Sequence, residues 1–155
     1  MPSLVIVDVQ KEFSAAKYVV PHVLKLIKEF KANKFPIIVL EYGSIVNGEE
    51  VCYYDTYKII MGHLIDYPLF KHKCKLSDSG AREVDQALKE LNYHDKEIAI
   101  CGVNTSACVY ETVRGLTIAK YKINVIKKAC NDNLPKYHKR QIEQWENSSK
   151  ISVIG

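Results

Sequence analysis

Three side chains capable of acid–base and nucleophilic chemistry stand where short apolar runs of this sequence stop. Leu4-Val5-Ile6-Val7 ends in Asp8. A carboxylate at the rim of a buried strand is partly desolvated, which lifts its pKa toward a range useful for proton transfer. The same position also suits an aspartate that caps a helix or pairs in a loop. Phe70 to Lys75 carries Lys73 and Lys75. Period-two alternation sends both to one face, so the pattern alone does not choose between them. A lysine at a strand end can hold a carboxylate ionised and offer charge to an oxyanion, or it can belong to a solvated basic edge. Ile98-Ala99-Ile100-Cys101 runs into Gly102-Val103-Asn104-Thr105-Ser106-Ala107-Cys108, where a helix begins. In a first helical turn, free N–H groups and the positive dipole end favour a thiolate at Cys108. The same N–H groups could bind an oxyanion. A buried structural thiol is the alternative there, and it is the better account of Cys101 and Cys130. Cys52 and Cys74 receive no role.

The elements that must position these residues follow from hydrophobic spacing. Apolar runs at 4–7, 36–40, 98–101, 123–126 and 151–154 predict strands, and Phe70 to Lys75 predicts another short one. Between them, Val19, Val20, Val23, Leu24, Ile27 and Phe30 recur at helical spacing, with Pro21 near the start. Val84, Ala87, Leu88 and Leu91 form a second stripe, 108–119 a third helix, and Pro135 opens a last helix through Trp145. Residues 41 to 69 read as loop marked by Gly43, Asn47 and Gly48, with one short helix between Thr56 and Tyr67. Alternating strands and helices predict an α/β protein: three layers, α/β/α, around a mostly parallel Rossmann-like sheet of five or six strands, in a single domain over 1–155. Ligands of such sheets bind at the carboxyl ends of the strands, where Asp8, the lysines and Cys108 fall.

Bulk properties narrow the class. The chain has 155 residues, 47% apolar and 26% charged, enough to bury a core without disulfide or metal staples. The net charge of +4 is spread along the chain, and its densest basic stretch, Lys71 to Lys75, carries no interleaved aromatics. That argues against a nucleic-acid partner. The N-terminus lacks a basic leader and no apolar run reaches bilayer length, so no membrane partner is expected. Five cysteines without a C-x-x-C pair fit reduced thiols in the cytoplasm.

Taken together, these segments resemble the isochorismatase-like cysteine hydrolases. Leu4 to Phe13 is similar to that family's opening, apolar residues and then D-x-Q-x-x-F. Gly102 to Thr112 is similar to its nucleophile motif, G-V-x-T-x-x-C-V-x-x-T. Tyr121 to Ala129 resembles its G-Y-x-V-x-V-V-x-D-A segment, and His138 falls near a later family histidine. The resemblance implies Asp8 as general base, Cys108 as nucleophile and a lysine from a K-x-x-x-S pattern. Lys73 fits that pattern through Ser77 and keeps the next helix in register; Lys75 fits through Ser79-Gly80 and shifts it. Lys73 is therefore the expected triad lysine. The resemblance also implies a non-proline cis peptide at Val103–Asn104, and an oxyanion hole from the Asn104 and Cys108 N–H groups. It further implies a small-molecule substrate and a homo-oligomer. The metal-binding D-x-H motif of the nicotinamidase branch is replaced by Glu41-Tyr42-Gly43, and His63 and His72 read as lone histidines. No metal or other cofactor is expected. Lys120 and Lys128 replace the usual glycine and aspartate, and Ser79 stands where a pocket phenylalanine is common.

Overall fold

The computed structural model describes residues 2–155. Six strands form one sheet in the order β5-β2-β1-β6-β7-β8, and every neighbouring pair is parallel. They are β1 (Ser3–Val7), β2 (Ile37–Tyr42), β5 (Phe70–Lys75), β6 (Glu97–Val103), β7 (Lys122–Asn131) and β8 (Ile151–Ile154). Parallel neighbours need crossovers, and the helices supply them. α1 (Val20–Ala32) packs on β1 and β7, α3 (Ala81–Glu90) on β2 and β5, and α5 (Pro135–Glu146) on β7 and β8. α4 (Tyr110–Ile118) lies against β7 and α3. The six expected strands and the alternation are all present, giving the α/β layering anticipated from the spacing.

Leu4 to Val7 and Ile37 to Leu40 are fully buried, as continuous apolar strands covered on both faces must be. α1 turns Val23, Ile27 and Phe30 inward at helical spacing. Among the described residues no helix is long and apolar enough to cross a membrane.

Three local readings change. Residues 44–51, expected as loop, form a two-stranded antiparallel hairpin, β3 (Ser44–Val46) and β4 (Glu49–Val51), turning at Asn47-Gly48. Both turn residues have positive φ, which suits these residue types in a tight hairpin. The helix in that region, α2 (Lys58–Gly62), is shorter than Thr56 to Tyr67. β7 runs on to Asn131, because its register against β6 jumps between the Ile100–Val125 and Gly102–Cys130 pairs. The exposed Lys127 and Lys128 hide this continuation from a reading by apolar runs.

That jump occurs beside Gly102, where φ is +122 and a Cβ would stand 2.1 Å from the Val7 carbonyl oxygen. Only glycine lets β6 approach β1 this closely while both strands deliver their ends to one place. Gly102→Ala is expected to destabilise the protein by about 3 kcal/mol or more, since a backbone atom and not a flexible side chain would have to yield. Urea unfolding measures it, and an unchanged midpoint would contradict this account of the β1–β6 contact.

Candidate active site

At the carboxyl end of β1 the chain turns through Asp8 with φ of 52. Its side chain is 1% exposed, and its Oδ2 accepts a 2.9 Å bond from Lys75 Nζ. Two residues on, the buried Gln10 side chain joins three segments. Its Oε1 accepts the Tyr42 N–H, and its Nε2 donates to the Tyr42 carbonyl and to Asp55 Oδ1. The end of β1 is thereby fixed to the end of β2 and to the loop that follows β4.

Lys75 closes β5 beside Tyr42, its register partner on β2. The Lys75 side chain is fully buried; Nζ also donates to the Ser77 carbonyl and sits 4.5 Å from the centre of the Tyr42 ring. Its methylene stem runs against Gly80, where a Cβ would meet Leu40 at 2.3 Å and Lys75 Cδ at 3.1 Å. Glycine at 80 is what leaves room for the lysine.

The expectation for Lys73 is corrected here. Lys73 is level with Leu40 and Val7 in the sheet, two residues short of the rim. At about 3.3 Å per residue it lies some 6–7 Å behind Lys75. Its ammonium reaches Glu90 of α3 at 2.8 Å, at the surface, and holds that carboxyl below its usual range. In the alternative register of that pattern, through Lys75 and Ser79, the lysine is the one that meets Asp8. The helix start was the misleading signal, since α3 begins at Ala81 directly after Gly80. The Ser79 hydroxyl accepts the Ala81 N–H just before that helix.

The nucleophile segment leaves β6 through a cis Val103–Asn104 peptide, as the resemblance implied. Thr105–Val109 forms one π-helical turn before α4, so Cys108 precedes the regular helix instead of opening it. Side chains pin this turn. The Thr105 hydroxyl donates to the Asn131 carbonyl and accepts from His138 Nδ1 at 2.8 Å. Asp132 Oδ2 takes both the N–H and the hydroxyl of Ser106. Burial keeps His138 below its usual pKa and hence neutral, with its proton on Nδ1 given that the Thr105 hydrogen is already spent. Thr112 Oγ1 accepts the Gly80 N–H at 2.9 Å, joining α4 to the loop after Lys75.

Cys108 is 8% exposed and lies against Asp8, close enough for the two to shift one another. Burial first, and then the Asp8 and Asp78 carboxylates, push its thiol up to about 12 against the pull of Lys75. This field works against the thiolate that the helix terminus by itself would favour. Desolvation also raises Asp8, and Lys75 only partly offsets it. Asp8 Oδ1 and Asn104 Oδ1 are buried with no hydrogen-bond partner. Orphaned buried acceptors cost about 1–3 kcal/mol each, so each calls for an explanation. Asp78, whose Oδ1 lies 3.9 Å from the Cys108 sulfur, was missed in the sequence; its place three residues after Lys75 was the available signal. Of the expected residues, the structure brings Asp8 and Cys108 together, with Lys75 and not Lys73. A separate 440 Å³ surface cavity, with Leu88, Tyr93 and Tyr121 among its walls, contains none of the three.

A six-stranded parallel sheet with a carboxylate, an ammonium and a thiol meeting at its carboxyl rim defines an α/β protein built like the cysteine hydrolases that the sequence resembles. An isochorismatase domain profile matches residues 63–151. The chain belongs to the isochorismatase family, within the isochorismatase-like hydrolases. No curated protein sequence matches it. Among solved structures, a nicotinamidase from Staphylococcus aureus superposes with a TM-score of 0.82 at 20% identity, covering 99% of this chain and 97% of that one. A pyrazinamidase from Pyrococcus horikoshii in complex with zinc gives 0.74 at 19%, covering 99% and 98%. The MAR1 ribonuclease from Caenorhabditis elegans gives 0.79 at 17%, covering 99% and 76%. At these identities the likeness is one of fold.

The two lysines separate experimentally. Lys75→Met leaves Asp8 buried without its cation and is expected to destabilise the protein by about 3–5 kcal/mol. Lys73→Met loses only a surface contact, and its unfolding midpoint should barely move. Equal losses would contradict the assignment. The thiol reports the same field. Alkylation of Cys108 by iodoacetamide at pH 9 should be severalfold faster in Asp78→Asn, where a carboxylate that opposes the thiolate is gone. No acceleration would remove Asp78 from the site's electrostatics.

Proposed function

We propose that the chain is a cysteine hydrolase that cleaves a small amide or related C–N bond through Asp8, Lys75 and Cys108, with a thioester acyl-enzyme and no catalytic metal. The observation that carries this reading is the buried Asp8–Lys75 pair at 2.9 Å with the Cys108 thiol against it. Burial and the neighbouring carboxylates disfavour a free thiolate beside Asp8. Proton transfer then accompanies attack on the carbonyl, so Asp8 acts as a general base while the carbon–sulfur bond forms. Lys75 keeps Asp8 ionised before that step and offsets the charge that develops during it. The Asn104 and Cys108 N–H groups serve as the oxyanion hole, and Asn104 Oδ1 is a free acceptor for a substrate N–H. Asp8 then returns the proton to the departing amine, and water, deprotonated by the same carboxylate, releases the acyl group. The D-x-H metal pair is lacking at Glu41-Tyr42-Gly43, and no step here uses a metal.

A second reading keeps the site and changes the chemistry. Burial raises Asp8 and the thiol alike, conditions under which a protonated Asp8 could donate to a vinyl ether with no attack by sulfur. A screen of small amides and vinyl ethers with the wild type, Cys108→Ala and Asp8→Ala separates the two. The amidase reading predicts loss of turnover in both variants, by about 10³-fold or more, and an acyl adduct on Cys108 seen by mass spectrometry. On the acid side kcat/KM should fall with an apparent pKa above that of a free aspartate, because protonation removes the base. Full activity in Cys108→Ala would sink the covalent scheme.

A further inference from the structure

The turn between β5 and α3 is built tightly around Asp78. On one side the Ser77 carbonyl accepts Lys75 Nζ at 3.1 Å, and the Ser77 hydroxyl donates past Asp78 to the Ser79 carbonyl at 3.0 Å. On the other, the Gly80 N–H donates to Thr112 of α4, the helix that follows the nucleophile turn. These bonds tie the Asp78 backbone to the segment that carries Cys108. Asp78 itself is exposed, and its Oδ1 stands 3.9 Å from the Cys108 sulfur. The start of α3 makes no use of it, because the Ala81 N–H goes to the Ser79 hydroxyl. Among the described residues no cationic side chain lies within ion-pair distance of it.

Charge at this rim is therefore unbalanced. Lys75 is fully buried and is spent on Asp8 and the Ser77 carbonyl. That pair is neutral as a whole, so Asp78 leaves the site with one negative charge in excess. The acceptors repeat the imbalance, since Asn104 Oδ1 is buried without a hydrogen bond.

We propose that Asp78 is a specificity-determining residue that selects substrates bearing a cationic group, an ammonium, amidinium or guanidinium, a few bonds from the scissile carbonyl. This rests on the hydrolase reading above and adds to it the charge of the substrate. A carbonyl carbon ready for attack stands about 3–3.5 Å from the sulfur. A cation hydrogen-bonded to Asp78 is then held while the carbonyl oxygen meets the Asn104 and Cys108 N–H groups. The attraction acts beside a sulfur that is 8% exposed, where water screens less than at an open surface. Molecules that carry a carboxylate at the same place are turned away by the same charge.

The test reads this preference twice. First, Cys108 is labelled with 2-ammonioethyl and 2-sulfonatoethyl methanethiosulfonate, reagents of opposite charge and similar size, and followed by peptide mapping. Replacing Asp78 changes the thiolate fraction equally for both, so their rate ratio reports only the field that the reagent meets. The cationic-to-anionic ratio should fall by about tenfold or more in Asp78→Asn, as expected for one charge at this range. An unchanged ratio would overturn the assignment. Second, 3-aminopropanamide is compared as a substrate with butanamide, and N-(2-aminoethyl)acetamide with N-propylacetamide. In at least one pair kcat/KM should favour the cation by about tenfold or more, through KM, and Asp78→Asn should erase the preference. Hydrolysis with no preference in either pair would leave the hydrolase reading standing and overturn this one. No hydrolysis of any of the four, with the reagent preference lost in Asp78→Asn, would count against the hydrolase reading and leave the selection of cations in place.

Discussion

The buried ion pair between Asp8 and Lys75 is the constraint around which this rim is built. Two full charges removed from water are costly to hold, and their mutual attraction offsets that cost only when the geometry is fixed. The surroundings supply the fixing. Lys75 is held by the Ser77 carbonyl and the Tyr42 ring, with Gly80 leaving space for its stem, while Gln10 ties the strand ends beneath Asp8 together. A single cation compensates incompletely for the burial, so the carboxyl stays raised. Its neighbour is the thiol of Cys108.

The sulfur's surroundings follow from the same balance. Low dielectric and two carboxylates raise its pKa against the pull of Lys75. Its position is set indirectly. Thr105, Ser106, Asp132 and His138 hold the π-helical turn from below, and Asn131 and Asp132 arrive there only because β7 jumps register against β6 and continues beyond its apolar run. The Gly102 contact with Val7 and the Thr112–Gly80 bond then join the segments that carry Cys108, Asp8 and Lys75.

The two faces of β5 make different uses of one strand. Lys71, Lys73 and Lys75 alternate with His72 and Cys74. The inner Lys75 reaches the Asp8 carboxylate while the histidine and cysteine gather round Glu41. A change on one face therefore moves the backbone that carries the other, and the 52–56 loop, bonded to both Gln10 and Glu41, links the two.

What the sequence by itself determined was the order of elements, the parallel sheet and two of the three residues at the rim. These depend on local signals: continuous apolar runs for buried strands, helical stripes for their covers, and the adjacency of Asp8 and Cys108 to the ends of such runs. The lysine was decided only by the tertiary structure. Lys73 and Lys75 share a face and differ by two residues along β5, so the choice depends on where that strand stops relative to β1, a register between segments more than sixty residues apart. The electrostatic field around Cys108 likewise depends on where packing puts the carboxylates of Asp8 and Asp78. The gathering of Glu41, Cys52 and His72 had no sequence spacing to announce it, because a hairpin and a strand pairing bring them together. Period and composition are properties of a segment; distance between segments and the dielectric they enclose come into being only when the chain has packed.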